Sequence, residues 1–115
     1  MQQTSGSDRR RHPRVPYGAW VEDETAEHGL KFYLAQNLSI GGLMLKSPDV
    51  EPPVGHRLRL RLVIENESRV MSVQGEVIRH IPNSDGGFAV RFTNLDPVRQ
   101  AFLSDLVTEL TAASA

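Results

Sequence analysis

The clearest hydrophobic pattern in the chain runs from Arg57 to Glu65. Leu58, Leu60, Leu62 and Ile64 fall on one face and Arg57, Arg59 and Arg61 on the other, the strict period of two of a half-buried strand. The same period, more weakly kept, predicts a strand around Tyr17, Ala19 and Val21 that ends at the acidic run Glu22, Asp23, Glu24, and a second over Lys31 to Asn37 with Phe32, Leu34 and Leu38 on its apolar face. Gly41 and Gly42 punctuate the chain before a short strand at Leu43, Met44 and Leu45, which a loop containing Pro48, Pro52, Pro53 and Gly55 closes. After the Arg57 strand, a turn at Asn66 and Glu67 leads into a long strand from Val70 to Ile81, in which Gly75 reads as a bulge or bend. A turn from Asn83 to Gly87 precedes the last strand, where Phe88, Val90 and Phe92 alternate. Six strands in about 75 residues at this spacing predict an antiparallel sandwich or barrel.

The period then changes. Asp96 stands as an N-cap before Pro97 at the first helical position, and Val98, Phe102, Leu106 and Leu110, with Leu103 and Val107 beside them, form one apolar stripe. A helix with such a stripe covers an apolar surface, either as a lid on the open end of a barrel or as a docking element for a partner. Trp20, the only tryptophan, reads as a core or barrel-end residue.

Length fits one domain: 115 residues with 39% hydrophobic and 23% charged residues suffice for one modest core. Zero cysteines exclude a disulfide scaffold, thiolate catalysis and Cys-ligated zinc. No apolar run approaches the roughly 18 residues of a membrane span and the N-terminus lacks a secretory apolar stretch, so a cytoplasmic protein without membrane insertion is expected. The four histidines are scattered without ligand spacing, and there is neither a nucleophile elbow nor a Gly-Lys-Ser/Thr phosphate loop. The expectation is therefore a non-enzyme with no catalytic residue, no metal and no cofactor.

The formal net charge of -1 hides an asymmetry. Residues 1–20 hold four arginines against one aspartate, a balance of +3, whereas the rest holds nine basic against thirteen acidic residues, a balance of -4. Residues 1–8 have the composition of a disordered tail. Pro13 and Pro16 keep their neighbours out of the α region, so the arginine-rich stretch at residues 9–16 is expected to be an extended loop rather than a basic helix. A concentrated cationic loop on a mildly acidic body suits a small phosphorylated partner better than bulk nucleic acid.

Two short motifs carry the chemistry. Arg10 and Arg14 form Arg-x-x-x-Arg, and Asn37, Ser39 and Gly42 form Asn-x-Ser-x-x-Gly at a strand-to-turn junction. A guanidinium is planar, permanently charged and forked, so each arginine can hold a phosphate or the O6 and N7 edge of guanine, or stack on a purine. In an extended loop residues four apart stand up to about 13 Å apart, which spans a cyclic dinucleotide. Asn37 offers an amide acceptor and donor and Ser39 a hydroxyl, while Gly42 permits close approach and Gly41 a positive φ. Taken alone, the second motif also fits a simple tight turn between strands.

The two motifs in this order, followed by Gly75 to Arg79, the Gly87-Phe88-Ala89-Val90-Arg91-Phe92 strand and a terminal helix, resemble the PilZ domain family over roughly residues 9–110. The resemblance implies a mainly β fold: a six-stranded antiparallel barrel at 17–93, a C-terminal helix at 96–110, a flexible Arg-rich N-terminal loop at 9–16 and a tail at 111–115. It implies a receptor for cyclic di-GMP with ligand contacts from Arg9, Arg10, Arg14, Asn37, Ser39 and Gly42, and secondary contacts from Arg11, Gly41 and Arg79. In the family the first position of the second motif is Asp or Asn; the Asn here removes one charge-assisted contact. A basic residue at Arg9 is associated in the family with a stacked pair of ligands. Such a receptor hands its signal to a downstream protein, in motility, exopolysaccharide or related output.

Two rivals remain. A PilZ-like interaction scaffold would act without the nucleotide, yet both motifs are present. A nucleic-acid-binding barrel would use Arg57, Arg59 and Arg61, but no aromatics interleave with them and Glu65, Glu67 and Glu76 are available to balance the face.

Overall fold

The computed structural model describes residues 14–25, 29–65, 68–82 and 86–114. Expectations for residues 1–13, for the turn at Asn66 and Glu67 and for Asn83 to Asp85 lie outside them. Among the described residues six strands, β1 (Val15–Asp23), β2 (Phe32–Leu38), β3 (Gly42–Lys46), β4 (Arg57–Ile64), β5 (Arg69–His80) and β6 (Phe88–Thr93), precede one helix, α1 (Pro97–Ser114). All neighbouring strands are antiparallel and close a barrel in the order β1-β2-β3-β6-β5-β4. Of the two architectures open to the strand pattern, the barrel is the one formed.

β4 keeps its sequence pattern, with Leu58, Leu60, Leu62 and Ile64 buried and Arg57, Arg59 and Arg61 outside. Arg59 and Arg61 face Glu24 at 3.9 Å and Glu22 at 3.8 Å, carboxylates of the first acidic cluster rather than Glu65 or Glu76; Glu67 lies outside the described residues. The reason is closure: β1 returns beside β4, pairing Glu22 with Arg61 and Asp23 with Leu60.

β2 takes the opposite phase from the one expected. Tyr33 and Ala35 point inward while Phe32 is exposed and Leu34 half-buried. A register shift between Ala35 and Asn37 then returns Leu38 to the interior. Tyr33 wins the inward position because it has two partners there: its ring meets Phe88 edge-on with centroids 5.2 Å apart, and its hydroxyl reaches Asp23.

Gly75 is not a bulge. Its pairings with Leu58 and Phe92 are in register, and the shift in β5 falls between Val77 and Arg79. Gly75 is needed for space, since a Cβ there would lie 2.5 Å from Val90 Cγ1.

The helix is a lid. Phe102, Leu103 and Leu106 are part of the buried core, with Val107 and Leu110 packed against it. Arg69 of β5 pairs with Asp105 at 2.9 Å and lies over the Phe102 ring, and Arg99 Nε donates to the Ser72 carbonyl at 2.8 Å. Asp96 caps the start, accepting from the Arg99 N–H at 2.8 Å. Val98 does not join the stripe, being 64% exposed in the first turn before the helix reaches the barrel. Helix continues to Ser114 through what was expected to be a tail. Trp20 is likewise no core residue: it is 59% exposed, on the outward side of β1 opposite Leu34.

Candidate functional site

β1 begins immediately after Arg14, and its first pairings with β2 set Val15 opposite Leu38 and Pro16 opposite Asn37. That register delivers Arg14 to Asn37. The guanidinium Nη1 donates to Asn37 Oδ1 at 2.9 Å, joining the end of the first motif to the start of the second across 23 residues. The contact is solvent-exposed. A carbonyl oxygen has two lone pairs, so Asn37 can accept from Arg14 and from a ligand N–H together.

Ser39, 4% exposed, organises the turn into β3. Its backbone N–H donates to the Gly42 carbonyl at 2.8 Å, its hydroxyl donates to the same oxygen at 3.3 Å, and the Gly41 N–H donates to its Oγ at 3.2 Å. Ser39 thus shapes the surface through the turn instead of presenting a free hydroxyl.

Gly42 is required for strand packing: a Cβ would stand 2.2 Å from the Val90 carbonyl oxygen. The positive φ foreseen for Gly41 is not used. Among the described residues the positive-φ glycines are Gly18, Gly29, Gly55, Gly86 and Gly87. Gly41 contributes its carbonyl, which accepts from the Phe92 N–H at 2.9 Å and ties the turn to β6.

Arg79 shares a row with this pair. Pro16 lies opposite Asn37, Asn37 opposite Met44, Met44 opposite Ala89 and Ala89 opposite Arg79. Three strand steps separate Asn37 from Arg79, about 14 Å along the sheet, and the exposed Arg79 completes a face with arginines at both ends. The loop at its edge is held by Glu51, which accepts from the Gly87 N–H at 2.7 Å, and by a 2.7 Å hydrogen bond between His80 Nε2 and the Pro52 carbonyl. Arg9, Arg10 and Arg11 lie outside the described residues.

The sequence reading missed one pair on this face. Gly42 is opposite Arg91, and Arg91 opposite Glu76, with Arg91 Nη2 3.2 Å from Glu76 Oε1. The signal was present as the polar phase of the Phe88-Val90-Phe92 alternation, but only the strand order places Arg91 beside the glycine turn. Among the described residues no group of three His, Asp or Glu side chains is placed to hold a metal, and no helix is long and apolar enough to cross a membrane.

Comparison with known proteins gives a consistent picture of the fold. The family model described as "PilZ domain" matches residues 8–109. The PilZ domain of YcgR from Escherichia coli, solved with c-di-GMP, superposes with a TM-score of 0.75 at 17% identity, covering 92% of this chain and 94% of that one. The Bacillus subtilis inhibitor of motility MotI/DgrA gives 0.70 at 20% identity, covering 92% of this chain and 51% of that one. The PilZ domain of CeSA from a cellulose-synthesizing bacterium gives 0.59 at 19% identity over 90% and 99% of the two chains. The search of curated proteins found no match.

Proposed function

The chain belongs to the PilZ domain family, and from that premise we propose that it is a cytoplasmic receptor for cyclic di-GMP that acts by binding and passes the signal to a partner protein. The observation that carries this reading is the 2.9 Å contact between Arg14 and Asn37, the last residue of the first motif and the first residue of the second. Arg10 and Arg14 supply the forked cationic groups for phosphate and guanine, Asn37 supplies an amide to a base edge, and the Ser39–Gly42 turn sets the backbone beneath. Arg79 closes the far side. Arg9 supplies an extra guanidinium for a second, stacked ligand, and Arg11 adds positive charge. Neutralising four arginines within six residues draws the N-terminal loop onto this face, and that rearrangement is what a partner in motility or exopolysaccharide output reads. The solved YcgR domain with c-di-GMP supports the ligand class.

A second reading, an interaction scaffold independent of nucleotide, rests on one observation: Ser39 and Gly42 are both employed within the fold. Nucleic-acid binding by the β4 arginines is disfavoured because Arg59 and Arg61 already face carboxylates.

Calorimetric titration with cyclic di-GMP decides between them. Wild-type protein is expected to bind at micromolar ligand, Arg10→Ala and Arg14→Ala are each expected to weaken binding by about tenfold or more, the equivalent of a charge-assisted hydrogen bond, and Ser39→Ala is expected to weaken it by loosening the turn that its hydroxyl holds. Absence of wild-type binding at micromolar ligand would overturn the receptor reading in favour of the scaffold.

A further inference from the structure

The seam that closes the barrel is incomplete. β1 and β4 pair only at Glu22–Arg61 and Asp23–Leu60, although β1 extends back to Val15 and β4 forward to Ile64. Continued in register, Trp20 would stand opposite Val63, but the ladder stops. Tyr17 lines the gap together with Val63. On this side, β1 from Gly18 to Val21 is in no strand ladder among the described residues.

A groove of about 240 Å³ lies along this edge, with Tyr17, Trp20, Val63, Leu106 and Leu110 among its walls. Gly18 leaves its floor open, with nothing within 4 Å of where a Cβ would be. Three charged residues also line it, Arg61, Glu65 and Glu109. Arg61 faces Glu22, whereas among the described residues neither Glu65 nor Glu109 has a cationic partner. The groove therefore combines an open strand edge, apolar walls and uncompensated negative charge.

We propose that this groove docks an extended segment of a partner protein, one that alternates apolar and basic residues and adds to the open edge of β1. An added strand gains main-chain hydrogen bonds from the edge, while its alternate side chains separate into one set facing the apolar walls and another facing Glu65 and Glu109. The surface is distinct from the nucleotide face: β1 offers one edge to β2, where Asn37 lies, and the other to the groove. The proposal holds with or without the nucleotide.

The only tryptophan of the chain stands in the groove wall and reports on it. The probe is a synthetic decapeptide alternating Val and Lys, titrated into the full chain with Trp20 fluorescence as the readout. Controls are its Val/Glu counterpart and a version N-methylated at alternate residues. The expected result is saturable binding of the Val/Lys peptide, at least tenfold weaker binding of both controls, and about tenfold loss in the Glu65→Gln, Glu109→Gln double variant. Equal binding of the Val/Glu peptide, indifference to N-methylation or an unchanged double variant overturns the proposal. So does self-association of the chain that buries Trp20, which assigns the groove to a second copy. Tighter peptide binding after deletion of residues 1–13 assigns it to the chain's own arginine-rich segment and also overturns the proposal.

Discussion

The hydroxyl of Tyr33 donates to the carboxylate of Asp23 at 3.1 Å inside the β1–β2 hairpin. Asp23, 5% exposed, also accepts from the Thr25 N–H at 2.9 Å and from the Thr25 hydroxyl. A buried carboxylate is tolerated when its oxygens are filled in this way. Tyr33→Phe removes one donor and keeps the ring against Phe88. Its expected cost is about 1–2 kcal/mol, read as a lower urea midpoint at constant slope.

Both tyrosines make the fold sensitive to alkali. Burial pushes the Tyr17 phenol up to about 12 from its ordinary value of 10.0, with nearby Glu65 adding to the rise. Burial, and then the Asp23 carboxylate, raise Tyr33 as well. Between pH 10 and 12 the unfolded chain has released its tyrosine protons while the folded chain retains them, so stability falls as pH rises through this window. Chemical denaturation across these pH values should show a shallower fall in Tyr17→Phe, which leaves Tyr33 as the only tyrosine.

Gly42 and Gly18 separate two uses of glycine. At Gly42 a Cβ meets the Val90 carbonyl oxygen at 2.2 Å, and the backbone must move to admit it. Gly42→Ala is expected to cost about 3 kcal/mol or to prevent folding. At Gly18 there is open space but φ is +65°, so Gly18→Ala is expected to cost about 1 kcal/mol. Thermal melts of the two variants check the order; equal losses would contradict the packing role assigned to Gly42.

Arg14→Lys tests whether the site needs a fork or only a charge. Lysine keeps the cation but cannot hold Asn37 and an anion through one planar group. Binding of cyclic di-GMP is expected to weaken by about tenfold with unchanged melting temperature, because the Arg14 contact is exposed. A lysine variant that binds as tightly as wild type would show that charge alone suffices.

Trp20 gives a direct check on the surface. At 59% exposure, its fluorescence should be quenched by acrylamide nearly as efficiently in the folded protein as in urea. Strong protection would place the ring in the core after all.

Where one strand face is wholly apolar, as in β4, side-chain order alone gave the register. β2 shows what defeats that reading: Phe32, Tyr33 and Leu34 are consecutive apolar residues, and nothing local says which enters the barrel. The choice is made by Asp23 and Phe88, residues of other strands. Trp20 poses a similar problem, since Ala19, Trp20 and Val21 are consecutive apolar residues and it is Val21 that enters the barrel, leaving Trp20 on the outward side. The candidate site was legible in its residue types and less so in their employment. That Arg14 meets Asn37 follows from the β1–β2 register, and the duties of Ser39, Gly41 and Gly42 within the turn depend on Val90 and Phe92, which only the β3–β6 pairing brings near.

That β3–β6 pairing also governs how the domain comes into being. It joins Gly42 to Arg91 and Leu45 to Phe88, partners separated by 49 and 43 of the 115 residues. Ladders between such distant segments form only after a large loop-closure entropy has been met, which places this topology among folders of about milliseconds to seconds. Arg14 and Asn37 can meet in a local hairpin, whereas Arg79 joins their face only when β6 is inserted between β3 and β5. A nascent chain still lacking β6 therefore carries both motifs and yet has no complete surface on which to use them.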